Sequence, residues 1–415
     1  MLPKGNFVKD AATLTLGTTI AQVLPIIIYP ILGRIYTPAD FALLASFTSI
    51  VSIFQVISTG KYEGATLIVD DDNAAANVVT LALGIGIVSC VFFTGILFIP
   101  QVRELLSPNL GLWVFLIPAA TVFVNIYEAY NEWSVRKKRF KYLSYNKITY
   151  SATTSIGKLS FAKVGLFNSG LLTGDILGKF LTSVVCVWRI WTKDKETFKD
   201  VSYPTMKHLM VKYRNFPMFT MPAQLLNTIG AAAPVLILNH FFNSTEVGFY
   251  SMTYAVLTVP ISIISYSVRD VFRQKANMIY KETGQFRDLY VKVLKKIAIM
   301  TAIVAIGVFW ILPWGFGLVL GEQWRVSGEY AQLLLPMIAV DFIAMSFSGV
   351  FVVTQHLKAL FNWQLIYCFS TIGSLLIGSI FFKDIKITLL IFSFVRLFVY
   401  GYMIALSYKF SYEKN

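Results

Sequence analysis

Seven ionisable side chains interrupt long apolar stretches of this 415-residue chain: Glu128, Lys158, Lys163, Asp175, Lys179, Asp341 and Arg396. Each costs roughly 2.5 to 3.5 kcal/mol to place at bilayer depth, so each requires an opposite charge or a wet cavity. The chemistry open to such groups is the holding of ions, protons and polar head groups rather than bond making. The three histidines, His208, His240 and His356, are dispersed, and the three cysteines, Cys90, Cys186 and Cys368, sit singly inside apolar segments. No nucleophile, metal-binding or phosphate-loop pattern occurs, and no cofactor is expected. Asp175 and Lys179 are four apart, so they stack on one helix face and can neutralise each other. Ser151, Thr154, Ser155 and Lys158 recur at helical spacing, a polar stripe that must face protein or water. Asp341 and Arg396 are open to two readings, an ion pair within the second half of the chain or groups lining a cavity. Lys163, nearer a span end, can snorkel to the interface.

The elements that carry these groups are twelve apolar stretches, near 11–33, 41–60, 74–100, 109–131, 148–166, 169–191, 216–239, 248–267, 294–316, 330–354, 360–382 and 387–408. A hydrocarbon core of about 30 Å takes roughly 20 helical residues per crossing. Lipid tolerates no open backbone, so the expected fold class is an all-α integral membrane protein. Composition agrees: 56% of residues are hydrophobic and 14% charged, against roughly 45 to 50% and 25% in soluble domains. The polar connections near 190–215 and 268–293 are too short for catalytic domains and read as amphipathic loop helices. The first span is long and broken by Gln22, Pro25 and Pro30, so no cleavable signal peptide is expected. The net charge of +14 would suggest a nucleic-acid partner in a soluble protein, but here lysine and arginine bias reports orientation. The connections on one face hold only five of the 36 basic residues, Arg34, Arg103, Arg325, Lys383 and Lys386. Both termini are therefore expected on the other, cytoplasmic face. The basic runs Arg136 to Lys141 and Arg269 to Lys275 either touch anionic head groups or only set topology.

An internal repeat divides the chain. An offset of 206 lays Arg34 to Ala42 over His240 to Gly248, each copy between the first and second span of a six-span half. Six is even, so the halves, 1–200 and 201–415, are expected to share orientation and to rock as an alternating-access pair. The leading spans are also the most broken, by Pro25 and Pro30 and by Pro217, Pro222 and Pro234, which points to a cavity. Glu63 and Arg269, closing the second and eighth spans, are separated by the same offset.

Arg34, Tyr36, Pro38, Asp40 and Phe41, then Lys61, Tyr62 and Glu63 one span later, together with the stretch 259–284, resemble the signature of bacterial polysaccharide flippases. These are the O-antigen and capsule exporters of the multidrug, oligosaccharidyl-lipid and polysaccharide exporter superfamily. The resemblance implies a MATE-like fold of about twelve transmembrane helices in two parallel-repeat six-helix lobes around a central cavity. It implies a substrate of undecaprenyl-diphosphate-linked oligosaccharide, moved from the inner to the outer leaflet of the cytoplasmic (inner) membrane. Partners would be the lipid bilayer, polysaccharide polymerase machinery, and H+ or Na+ as coupling ion, with no nucleic acid. The residues suited to hold diphosphate or sugar are Lys61, Arg269, Lys158, Arg396, Gln22, Asn125, Tyr130 and Asn227, and those suited to gating or ion coupling are Glu63, Glu128 and Asp341. A drug or cation antiporter of the same fold is the nearest rival; it wants acidic groups in its cavity, and the first span has no carboxylate. A glycan polymerase would want a large outer loop with catalytic groups, and the outer connections are short, so no enzyme is expected.

Overall fold

Apolar runs this long can satisfy their backbones only as helices. The computed structural model describes residues 4–106, 109–164 and 170–412, and no strand occurs among them. Twelve of its helices have twenty residues or more. They are α1 (Lys4–Ile35), α2 (Pro38–Ser58), α3 (Asp72–Ile96), α4 (Ile117–Arg136), α5 (Phe140–Val164) and α6 (Gly170–Lys193), followed by α7 (Met221–Phe241), α8 (Ser244–Thr283), α9 (Arg287–Phe309), α10 (Arg325–Phe347), α11 (Leu357–Ile377) and α12 (Ile385–Phe410).

Ten of these are long and apolar enough to cross a bilayer. The protein is a multi-pass membrane protein. Two of the twelve expected crossings need a different account. α9 and the following helix Leu312–Leu320 qualify only together, as a span bent by 68°. The stretch expected at 148–166 falls in α5, whose Lys141, Lys147, Lys158 and Lys163 stand among serines and threonines and keep it below that hydropathy.

α5 is held by its neighbour instead. Gly157 and Gly174 face each other so closely that a Cβ on either would run into the other's backbone, and Gly178 sits likewise on Thr154. Small residues let the two backbones approach, and polar groups then bond across the seam. Thr153 Oγ1 donates to the Gly178 carbonyl at 3.0 Å and lies 2.9 Å from Thr182 Oγ1. Gly174→Leu is expected to lever α5 away from α6, because overpacking a close seam costs about 1–3 kcal/mol or more. Fluorescence-detected size-exclusion should show a clear loss of monodisperse protein, whereas Gly84→Leu, at a position open to space, should not.

The polar connection expected at 268–293 is not a separate loop helix. α8 runs into it as far as Thr283, and its 40 residues span about 60 Å at 1.5 Å per residue, twice the hydrocarbon thickness. Gly284, at φ 72°, ends it. The connection at 190–215 does hold two short helices, Lys195–Lys199 and Tyr203–Lys212.

The chain folds as two compact units, Met1–Ile28 with Leu43–Ala232, and Tyr29–Ala42 with Ala233–Asn415. In the first, Val78, Val79, Ala129, Tyr130, Trp133, Cys186 and Leu209 form one apolar cluster. In the second, α8, α10 and α12 pack in sequence, with α11 on α12. The offset of 206 is visible as chemistry. The Thr37 N–H and hydroxyl donate to Asp40 Oδ2 at 2.9 and 2.8 Å, opening α2. At the equivalent positions the Glu246 N–H donates to Asn243 Oδ1 at 2.9 Å, in a reciprocal capping box that opens α8. Both copies thus satisfy orphan donors of a helix start.

Candidate functional site

At the end of α2 the backbone turns left-handed at two successive residues, Gly60 (φ 59°) and Lys61 (φ 60°). A lysine meets steric strain there, and the anchoring of the next turn sustains it. That short turn, Tyr62–Leu67, is pinned by the Tyr62 hydroxyl donating to the Met210 carbonyl at 3.0 Å. Burial pushes the Tyr62 phenol up, so it stays a neutral donor. This geometry turns Glu63 inward until it is only 5% exposed. Its Oε1 lies 3.2 Å from Lys61 Nζ, and neither carboxylate oxygen accepts a hydrogen bond among the described residues.

Lys61 and Glu63 open onto a cavity of about 180 Å³, whose other walls are Gly64, Glu128, Glu132, Phe216, Thr220 and Gln224. Three carboxylates therefore share a space with one ammonium. Residue type singles out Lys61, Glu63 and Glu128 in the sequence but passes over Glu132. The signal for Glu132 is its position four residues, one helical turn, beyond Glu128. Such a cavity can hold a proton, a cation or the hydroxyls of a sugar.

Asp175 stands between two lysines, its Oδ1 2.8 Å from Lys158 Nζ and its Oδ2 2.5 Å from Lys179 Nζ. The polar stripe of α5 therefore meets a carboxylate of α6. In the second unit Arg396 is 2% exposed. Its Nη1 donates to Thr371 Oγ1 at 2.7 Å, and its Nη2 to the hydroxyls of Tyr367 and Tyr400 at 3.1 and 2.8 Å. The guanidinium also lies 4.0 Å from the Tyr367 ring centre and 5.0 Å from that of Tyr400. Asp341 Oδ1 is buried and accepts no hydrogen bond among the described residues. Asp341 lines a cavity of about 210 Å³ with Tyr254, Thr258, Ser262, Ser265 and Tyr266. Of the two readings open to Asp341, the geometry here is that of a cavity wall.

The remaining candidates lie apart. Asn125 Nδ2 donates to Ser58 Oγ at 2.9 Å, joining α4 to the end of α2. Tyr130 is buried in the apolar cluster of the first unit. Gln22 is half-buried on α1, and Asn227 is exposed on α7. Arg269 lies 4.6 Å over the Tyr266 ring with its Nε 3.3 Å from Asp270. The side chain of Lys163 lies outside the described residues.

Residues 31–329 match the family described as polysaccharide biosynthesis protein. The chain belongs to that family. No curated protein sequence matches it. Among solved structures it resembles the lipid II flippase MurJ in an inward closed conformation, at 11% identity and a TM-score of 0.74, covering 96% of this chain and 89% of that one. It also resembles a multidrug resistance MATE family transporter in an inward-facing conformation, at 13% identity and a TM-score of 0.71, covering 95% and 93%. A third likeness is to a transporter of the same superfamily from Pyrococcus furiosus, described as having a binding pocket of reverse polarity, at 11% identity and a TM-score of 0.54, covering 96% and 94%. Identities this low show the fold, and that fold is MATE-like along nearly the whole of this family member.

Proposed function

We propose that the protein is a flippase, not an enzyme, that carries undecaprenyl-diphosphate-linked oligosaccharide from the inner to the outer leaflet of the bacterial cytoplasmic membrane by alternating access. The observation that carries this reading is a polysaccharide-biosynthesis chain folded, over nearly its full length, like the lipid II flippase MurJ. Lysine and arginine bias places both termini in the cytoplasm. Lys61 then meets the diphosphate at the entry face, while Glu63, Glu128 and Glu132 exchange the coupling proton. With the interior negative, outward movement of an anionic head group is downhill by about 2.3 kcal/mol per charge per 100 mV. The polymerase machinery consumes the product.

One observation favours the rival antiporter: three carboxylates converge on one cavity, which composition alone does not foretell. Two assays separate the readings. In a deletion strain, lipid-linked repeat units should accumulate on the inner leaflet, and resistance to cationic drugs should be unchanged. Lys61→Ala should flip about tenfold slower, the effect of losing one charge-assisted contact of ~1.5 kcal/mol. Normal arrival of repeat units on the outer face after deletion would end the flippase reading.

A further inference from the structure

The signature Arg34, Tyr36, Pro38, Asp40 and Phe41, prominent in the sequence, touches neither cavity. It occupies the turn between α1 and α2, within the fourteen residues Tyr29–Ala42 that the chain lends to the second unit. There it meets the end of the bent span. α1 and the helix Leu312–Leu320 finish at the same place, so two helix C-termini, each carrying partial negative charge and orphan carbonyls, are brought together. Unaided, these ends repel.

Each end is capped by a side chain from the other. Trp324 Nε1 and Gln323 Nε2 both donate to the Gly33 carbonyl at 2.7 Å. In return, Arg34 Nη2 donates to the Leu318 carbonyl at 3.2 Å. Phe41 completes the seat, edge-on to Trp324 at 5.2 Å between ring centres. Both sides are closely packed. A Cβ at Gly33 would lie 3.1 Å from Trp324 Nε1, and one at Gly248 would meet the backbone of Pro38. The seat is therefore shaped and charged for one docked geometry, and it is held by few donors. Its stability depends on bridges that can be made or lost together, as a two-state element requires.

We propose that the α1–α2 turn is a releasable latch, docked while Trp324, Gln323 and Arg34 bridge the two helix ends and undocked when they part during the transport cycle. The inference rests on the transport reading only for when the latch moves. Ala42, one turn into α2 and 1% exposed, reports its state. In Ala42→Cys protein, maleimide labelling in the resting state should be slow, because the three native cysteines are buried as well. Adding Trp324→Phe, which keeps the ring edge but removes the donor, should speed labelling about fivefold, the shift expected of one lost hydrogen bond. Arg34→Gln, at an exposed position, should act in the same direction with little risk to folding.

A disulfide tests the opposite state. A Cβ at Gly33 lies 3.3 Å from Leu320 Cβ, a few tenths of an ångström short of disulfide separation, so a small parting of the two ends suits the bond. The pair Gly33→Cys and Leu320→Cys should cross-link under oxidant and stop flipping, and reductant should restore it. Labelling unchanged by both Trp324→Phe and Arg34→Gln would overturn the latch, and so would full flipping by the cross-linked pair. Labelling needs no substrate, so failure of the latch and failure of the flippase reading are told apart.

Discussion

Asp175→Asn is expected to cost the protein most of its folded yield. The carboxylate is shared by Lys158 at 2.8 Å and Lys179 at 2.5 Å, and Lys179 is only 5% exposed. Neutralising the centre of this triad leaves two cations facing each other in a helix seam away from water. Removing one partner of a buried ion pair costs about 3–5 kcal/mol, enough to unfold a marginal membrane protein. Melting followed in detergent should show the change, and an unaltered melting temperature would refute it. Replacing the whole triad, with Asp175→Leu, Lys158→Met and Lys179→Met together, should return much of the stability, because well-packed apolar groups often equal a buried ion network. That variant also separates roles. Recovery of folding without flipping would place Lys158 on the substrate path, and recovery of both would make the triad purely structural.

Arg396→Leu is expected to be nearly as damaging. The guanidinium serves three hydroxyls and stacks against two tyrosine rings, and a leucine leaves Thr371, Tyr367 and Tyr400 without their donor. A loss of about 3–5 kcal/mol is the expected scale. Arg396→Lys should rescue little, since an ammonium lacks the planar fork and the stacking face. A double-mutant cycle between Arg396→Gln and Asp341→Asn should give a coupling energy of about 1–3 kcal/mol. Simple additivity would mean that the two groups act independently and that Asp341 serves its cavity alone.

Much of this was open to a linear reading. Apolar runs of bilayer length force helices, because lipid offers the backbone no partner, so helix number and type followed from local pattern. The repeat that pairs Thr37 with Asn243 was likewise visible as an offset, although the helix caps those residues make emerged only in the fold. Crossing competence was less legible. α5 is too polar to qualify alone, and only Gly157 against Gly174 and Lys158 against Asp175 explain how it is accommodated. The bend after α9 and the 40-residue continuity of α8 also escaped the pattern, because hydropathy marks apolar length and not where a helix ends.

The sequence by itself determined that this chain is a membrane-embedded helical protein and which of its residues are charged inside the apolar segments. Tertiary structure alone decided their company. Glu63 shares a cavity with Glu132, Arg396 bonds the hydroxyls of Thr371, Tyr367 and Tyr400, and Arg34 caps a carbonyl 284 positions away, at Leu318. The reason is physical. Burial fixes that a charge must find a partner, but which partner it finds depends on how helices distant in the chain are packed side by side.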